Sequence, residues 1–233
     1  MKKTKMMILI TLLITVLTGC NTNTTIPTNP EETEMSEFEK SDAYYDYYDF
    51  TSEVYQHYKT LGYDDNFIIA LASWMLYESG GDTTAMEFSR GYRDNYNTFL
   101  KNSDISDTSV LLESYHNYGN KIIEKTDFMY ESCKNSEGEL CPGIGLLMWS
   151  GNRGDQMLQY CNQNWKTREA QFDFIDYEIE NHYDALKPEN FTVETPEEAI
   201  QKINRIYINA SNNKSDIICD YIKPVQEIID SLR

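Results

Sequence analysis

Asn66-Phe67-Ile68-Ile69-Ala70-Leu71-Ala72-Ser73-Trp74-Met75-Leu76-Tyr77-Glu78-Ser79-Gly80-Gly81 is apolar around most of a helical circumference and ends on a carboxylate and two glycines. A helix without a polar face has to be central and buried, so its neighbours must supply amphipathic faces to surround it. Just upstream, Leu61-Gly62-Tyr63-Asp64-Asp65 puts a glycine where one helix ends and an aspartate where the next begins. Outward from there the helical period recurs. It predicts a helix over 41–61, with Tyr44, Tyr45, Tyr47, Tyr48, Phe50, Tyr55 and Tyr58 as a half-buried core face. Further helices are predicted over 110–132, 152–165 and 169–186, the last with Phe172, Ile175, Ile179 and Tyr183 on one stripe. Thr195-Pro196-Glu197-Glu198 fits a capping box with proline at the first helical position, opening a helix over 197–210. A last helix covers 216–232, with Pro224 as a kink. Residues 82–107 read as polar and broken, and strand signals are sparse. The fold class is mainly α, a single domain over 38–233 with little or no β-structure.

The N-terminus has a different character. Lys2, Lys3 and Lys5 precede an apolar run from Met6 to Leu17, then Leu17-Thr18-Gly19-Cys20 and a polar Asn/Thr stretch. A basic start, a short apolar core and small residues describe a secretory signal over 1–19. The run is about a dozen residues where a bilayer span takes about 20, so an uncleaved membrane helix is disfavoured. Leu17-Thr18-Gly19-Cys20 is also similar to the bacterial lipoprotein box, which implies acylation of Cys20 and tethering at the extracytoplasmic face of the cell membrane. Residues 20–37, rich in Thr, Asn, Pro and Glu, read as a flexible stalk.

The chain of 233 residues carries 38 acidic and 20 basic side chains. Residues 1–19 hold three of the lysines and no acid, so the mature chain has 17 basic groups against 38 acidic and a formal charge of −21. That surface excludes nucleic acid as a partner and does not hold anionic wall polymers by net charge. With 18 Tyr, 9 Phe and 3 Trp the acidity is not disorder. After Cys20, four cysteines remain. In an exported chain they suggest a short bridge Cys133–Cys141 across a polar turn and a longer one Cys161–Cys219, with buried free thiols as the alternative. No CxxC pair or His-rich spacing calls for a metal, and no cofactor is expected.

Two constellations could carry chemistry. In Trp74 to Gly81 a carboxylate sits where an apolar helix meets a glycine turn, a place suited to keeping a carboxyl protonated near neutral pH. In Gly143-Ile144-Gly145-Leu146-Leu147-Met148-Trp149-Ser150-Gly151-Asn152-Arg153, paired glycines permit close backbone approach and a neighbouring aromatic can stack on a sugar ring. The plain alternatives are a solvated helix-end glutamate and a tight packing turn.

Together, and in this order, the Glu-Ser-Gly helix end and the Gly-Leu-x-x-Trp-Ser-Gly-x-Arg segment resemble the phage-tail-type lysozyme family, peptidoglycan-cleaving domains of the lysozyme-like superfamily. Tyr55 to Asp65 is similar to the family's opening helix and turn, and Glu169 to Tyr183, with Gln171, Phe172 and Glu178, to the helix after the Gly-Trp segment. The resemblance implies a lysozyme-like fold with a substrate cleft and a muramidase acting on peptidoglycan glycan strands. Glu78 would be the general acid, protonating the oxygen between N-acetylmuramic acid and N-acetylglucosamine. Ser79 and Gly80 would shape its turn, and Gly145, Trp149, Ser150 and Arg153 would line or brace the sugar cleft. Met148 departs from the family, which most often has glutamine there, and Glu78 and Gly145 are 67 positions apart, longer than in the shortest members. For a second catalytic carboxylate the candidates are Glu87, Asp94 and Asp155. With none, the muramic acid's own hydroxyl could close on the anomeric carbon, as in lytic transglycosylases. A non-catalytic lipoprotein binding glycan or a protein partner is the competing reading. A Cys/His hydrolase built from the four cysteines with His57, His116 or His182 is a third, disfavoured because no cysteine shows an activating setting.

Overall fold

The computed structural model describes residues 42–123, 133–210 and 212–233. The signal segment, Cys20, the stalk and the end of the 110–132 helix lie wholly or partly outside the described residues. Among those described there is no strand, only isolated bridges, and no helix is long and apolar enough to cross a membrane.

The fold is built around α2 (Asp65–Ser79). Asp64 starts it, its carboxylate accepting from Phe67 N at 2.8 Å. Gly80 stops it in the left-handed conformation (φ 68°), where a side chain would strain the backbone, and its N–H closes on Leu76 O. Phe67 to Leu76 are buried without interruption, as an all-round apolar helix requires. α1 (Asp42–Thr60) packs on it with Phe50, Val54 and Tyr58 fully buried and Tyr47 and Tyr55 partly so. α7 (Pro196–Ile203) and α9 (Ile222–Ser231) complete the surround. The Thr195 cap is made, with Oγ1 accepting from Glu198 N at 3.3 Å.

α3 (Arg93–Asn102) was not expected, because 82–107 reads as polar. Tyr92, Tyr96, Phe99 and Leu100 nevertheless keep helical spacing, and Phe99 is buried against Tyr115 and Tyr118 of α4 (Thr108–Ile123). α5 (Asn152–Cys161) and α6 (Arg168–His182) are shorter than their patterns because each passes into a 3₁₀ turn. α7 likewise gives way to a π-turn over Asn204–Ile208 that ends on Asn209 in the left-handed region. The last helix is two: α8 (Asn212–Ile218), a 3₁₀ turn at Cys219–Tyr221, then α9. Pro224 lies in the first turn of α9, so the break falls before it, where its ring would otherwise meet the preceding turn.

No disulfide forms. Cys141 Sγ turns to Asp155 Oδ1 (3.3 Å), Cys161 Sγ to Ala170 O (3.1 Å) and Cys219 Sγ to Ser215 O (3.3 Å), so neither Cys133–Cys141 nor Cys161–Cys219 is bridged.

Candidate active site

Glu78 leaves the end of α2 into a cleft of about 760 Å³ that is also lined by Glu87, Met148, Ser150, Arg205 and Lys214. Such a volume suits a small oligomer of sugar rings rather than a single ion. The Gly-Trp segment forms one wall. Ile144 and Trp149 bridge as an antiparallel pair, with reciprocal N–H to O bonds of 3.1 and 3.0 Å. Gly145 turns the chain at φ 76°, and a Cβ there would fall 2.7 Å from Gln171 Oε1. Buried Gln171, on α6, accepts from Leu146 N (2.8 Å) and donates to Thr83 O (2.9 Å), tying this turn to the loop after α2. Gly145 N and Glu87 N complete the seam on Ala85 O and Gly143 O, both at 2.8 Å.

Under the wall lies a buried ionic cluster. Glu178 of α6 is 3% exposed. It takes both Arg153 Nε and Nη2 at 2.8 Å, Trp149 Nε1 at 3.2 Å and the Tyr207 hydroxyl at 2.6 Å. Arg153 also lies over the Tyr207 ring at 4.6 Å. Burial opposes the guanidinium charge, but the Glu178 carboxylate outweighs it and drives the arginine pKa further up. Trp149 is 2% exposed and packs edge-on against Phe174. Trp149 therefore offers no open face for stacking a sugar ring, yet it and the half-buried Arg153 both contribute to the lining of the cleft.

The other expected residues divide. Ser79 lies outside the cleft lining and shapes the turn, its hydroxyl donating to Met75 O (2.8 Å) and accepting from Gly81 N (3.2 Å). Gly145 is likewise structural, while Ser150 lines the cleft. Of the three candidate second carboxylates only Glu87 reaches it. Its Oε2 is fixed by Gly143 N at 3.0 Å. Asp94 is exposed on α3, away from the cleft lining. Asp155 is buried on α5, bound by His116 Nε2 (2.8 Å), Asn135 Nδ2 (2.6 Å) and Cys141.

Lys214 was not anticipated. Its ammonium stands 3.0 Å from Glu78 Oε1, across 136 residues of chain, and no local pattern could have announced it. Arg205 and the π-turn that carries it were equally invisible, although π-turns are frequent at functional sites.

Residues 50–223 match the family model of phage tail lysozymes. The chain belongs to the phage tail lysozyme family. Curated proteins and solved structures give no match. Membership makes the domain a lysozyme-like peptidoglycan hydrolase in kind, and the cleft of this phage tail lysozyme is where its two motifs meet. A Cys/His hydrolase finds no support in the same structure. Cys141 does lie beside His116 and Asp155, but it is fully buried and its thiol bonds to the carboxylate. Burial pushes the Cys161 thiol up to about 12 and raises Cys141 and Cys219 as well, the opposite of what a nucleophile needs.

Proposed function

We propose that this protein is a membrane-anchored muramidase that cleaves peptidoglycan glycan strands outside the cytoplasmic membrane, with Glu78 as general acid. The observation that carries the reading is the convergence of Glu78 and the Gly-Trp segment on one open cleft. Zymogram clearing of peptidoglycan by the purified protein tests it. Clearing supports the muramidase; glycan retention without clearing would leave a binding domain instead.

Glu78 and Glu87 are the only acidic residues in the described lining of the cleft. Glycoside hydrolysis uses two carboxyl groups, one giving a proton to the leaving oxygen and one serving as nucleophile or as base for water. Glu87 takes the second role. Its Oε1 accepts no hydrogen bond from the described residues, while Gly143 N steadies Oε2. Glu87→Gln is therefore expected to lower turnover by about a hundredfold or more with the fold retained. If Glu87→Gln stays as active as the parent and the products carry anhydro rather than reducing ends, the substrate's own hydroxyl does this work and Glu87 is idle.

Lys214 occupies the Glu78 oxygen. A proton donor cannot keep an ammonium ion on the oxygen that bears its proton, so the sugar chain must separate the pair as it enters. The second reading, a non-catalytic glycan-binding domain, draws on this contact and on Met148, which stands where the family most often has glutamine.

The anchor belongs to the proposal too. A lipid on Cys20 would confine cleavage to wall near the membrane. It also keeps an acidic domain beside a polymer that its charge would not hold. The intact mass of detergent-extracted protein is expected to begin at an acylated Cys20. A chain beginning at Met1, or an unacylated Cys20, contradicts the anchor.

A further inference from the structure

On the far side of the Gly-Trp wall, three side chains of different chemistry converge. The ligand atoms of His116, Cys141 and Asp155 all lie within 4.8 Å of one another. His116 comes from α4, Cys141 from the segment leading into the wall and Asp155 from the first turn of α5. His116 Nε2 is 2.8 Å and Cys141 Sγ 3.3 Å from the same carboxylate oxygen. Around a tetrahedral zinc-type ion with bonds of about 2.0–2.3 Å, neighbouring donors stand roughly 3.3–3.6 Å apart. The distances from Asp155 to His116 and Cys141 have to open by only about half an ångström or less to match that spacing.

We infer that His116, Cys141 and Asp155 form a binding site for a divalent zinc-type metal ion that fastens the base of the cleft wall. Imidazole, thiolate and carboxylate are the donor types such an ion takes, and an acid cluster selecting calcium or magnesium would contain neither sulfur nor nitrogen. On binding, Cys141 gives its proton to solvent and exchanges its hydrogen bond to Asp155 for the metal, which leaves a thiolate–metal bond. Asn135 Nδ2, 2.6 Å from Asp155 Oδ2, already orients the carboxylate from outside, as outer partners of metal ligands do. Entry is available: a surface cavity of about 440 Å³ is lined by His116, Asn135, Glu137 and Asp155. The fourth position is left for water or for the nearby Glu137 carboxylate.

The placement gives the ion a purpose. Cys141 and Asp155 bracket residues 142–154, the whole of the Gly-Trp wall, and Gly151 N closes that loop on Cys141 O at 2.9 Å. Among the described residues no disulfide supports the loop. A metal would cross-link its two ends to α4, performing the work a bridge does elsewhere.

The test is titration of the purified, chelator-stripped protein with Co²⁺ under reducing conditions, read by absorption, with Zn²⁺ as competitor. One Co²⁺ per chain is expected, with a thiolate-to-cobalt charge-transfer band that Zn²⁺ abolishes and a melting temperature raised by several degrees. Cys141→Ser is expected to remove the band and His116→Gln to weaken binding by more than about tenfold, a cost that even outer-shell changes reach. Cys161→Ser is expected to change neither. The inference is overturned if the wild-type protein binds no stoichiometric Co²⁺, or if the band and affinity persist in Cys141→Ser. Should Cys141→Ser fail to fold, His116→Gln decides, and unchanged affinity in that variant overturns the site.

Discussion

Glu78→Gln is expected to abolish measurable peptidoglycan cleavage while leaving the melting temperature within a few degrees of the parent. A positioned general acid contributes about a hundredfold to ten-thousandfold to rate, and an amide cannot deliver the proton. The fold has little stake in the charge. Glu78 sits at the end of α2, and its partner Lys214 has a side chain 40% exposed, so the ion pair contributes on the order of 1 kcal/mol or less. The amide oxygen of glutamine can still accept from that ammonium. Peptidoglycan turnover and a thermal melt on the same sample check both halves. A variant that keeps parental activity removes Glu78 from the chemistry; one that unfolds makes it structural.

Glu178→Ala is expected to destabilise the domain by about 3 kcal/mol, because it strips a half-buried arginine of its carboxylate partner and leaves two buried donors unpaired. Arg153, the indole N–H of Trp149 and the Tyr207 hydroxyl all converge on that group. Trp149 and Tyr207 would lose that acceptor where water hardly reaches, while the half-buried Arg153 keeps its bond to Tyr207 O at 3.1 Å. With roughly 2–4 °C per kcal/mol for a domain of this size, the melting temperature should fall by about 10 °C. Activity should fall as well, since the same cluster backs the wall that faces Glu78. Replacing Glu178 and Arg153 together by methionine should cost less than the sum of the single changes, since no charge is then left buried alone. Thermal melts of Glu178→Ala, Glu178→Met, Arg153→Met and the double methionine variant measure this, and a loss under 1 kcal/mol for Glu178→Ala contradicts the bracing role.

What the residue order discloses follows from where the determining contacts lie along the chain. α2 is readable because both of its ends are set locally, by Asp64 and Gly80, and its burial by its own apolar surface. The Thr195 cap is readable for the same reason. α3 is obscured because its apolar stripe of Tyr92, Tyr96, Phe99 and Leu100 is thin and set among charged and amide side chains. The role of Trp149 depends on Glu178 and Phe174, both on α6, so residue type alone suggests an open ring where the fold makes a buried one. Asp155 shows the same limit. As a carboxylate it qualifies for catalysis, but His116, Asn135 and Cys141 draw it into another cluster. Lys214 faces Glu78 only because α8 returns beside α2.

The most direct test is a reducing-end assay on purified peptidoglycan digested by the parent protein and by Glu78→Gln in parallel. New sugar termini at N-acetylmuramic acid, rising with time for the parent and flat for the variant, are the expected result. Termini that rise equally with both proteins, or glycan strands left intact by the parent, would contradict cleavage by Glu78 in this cleft.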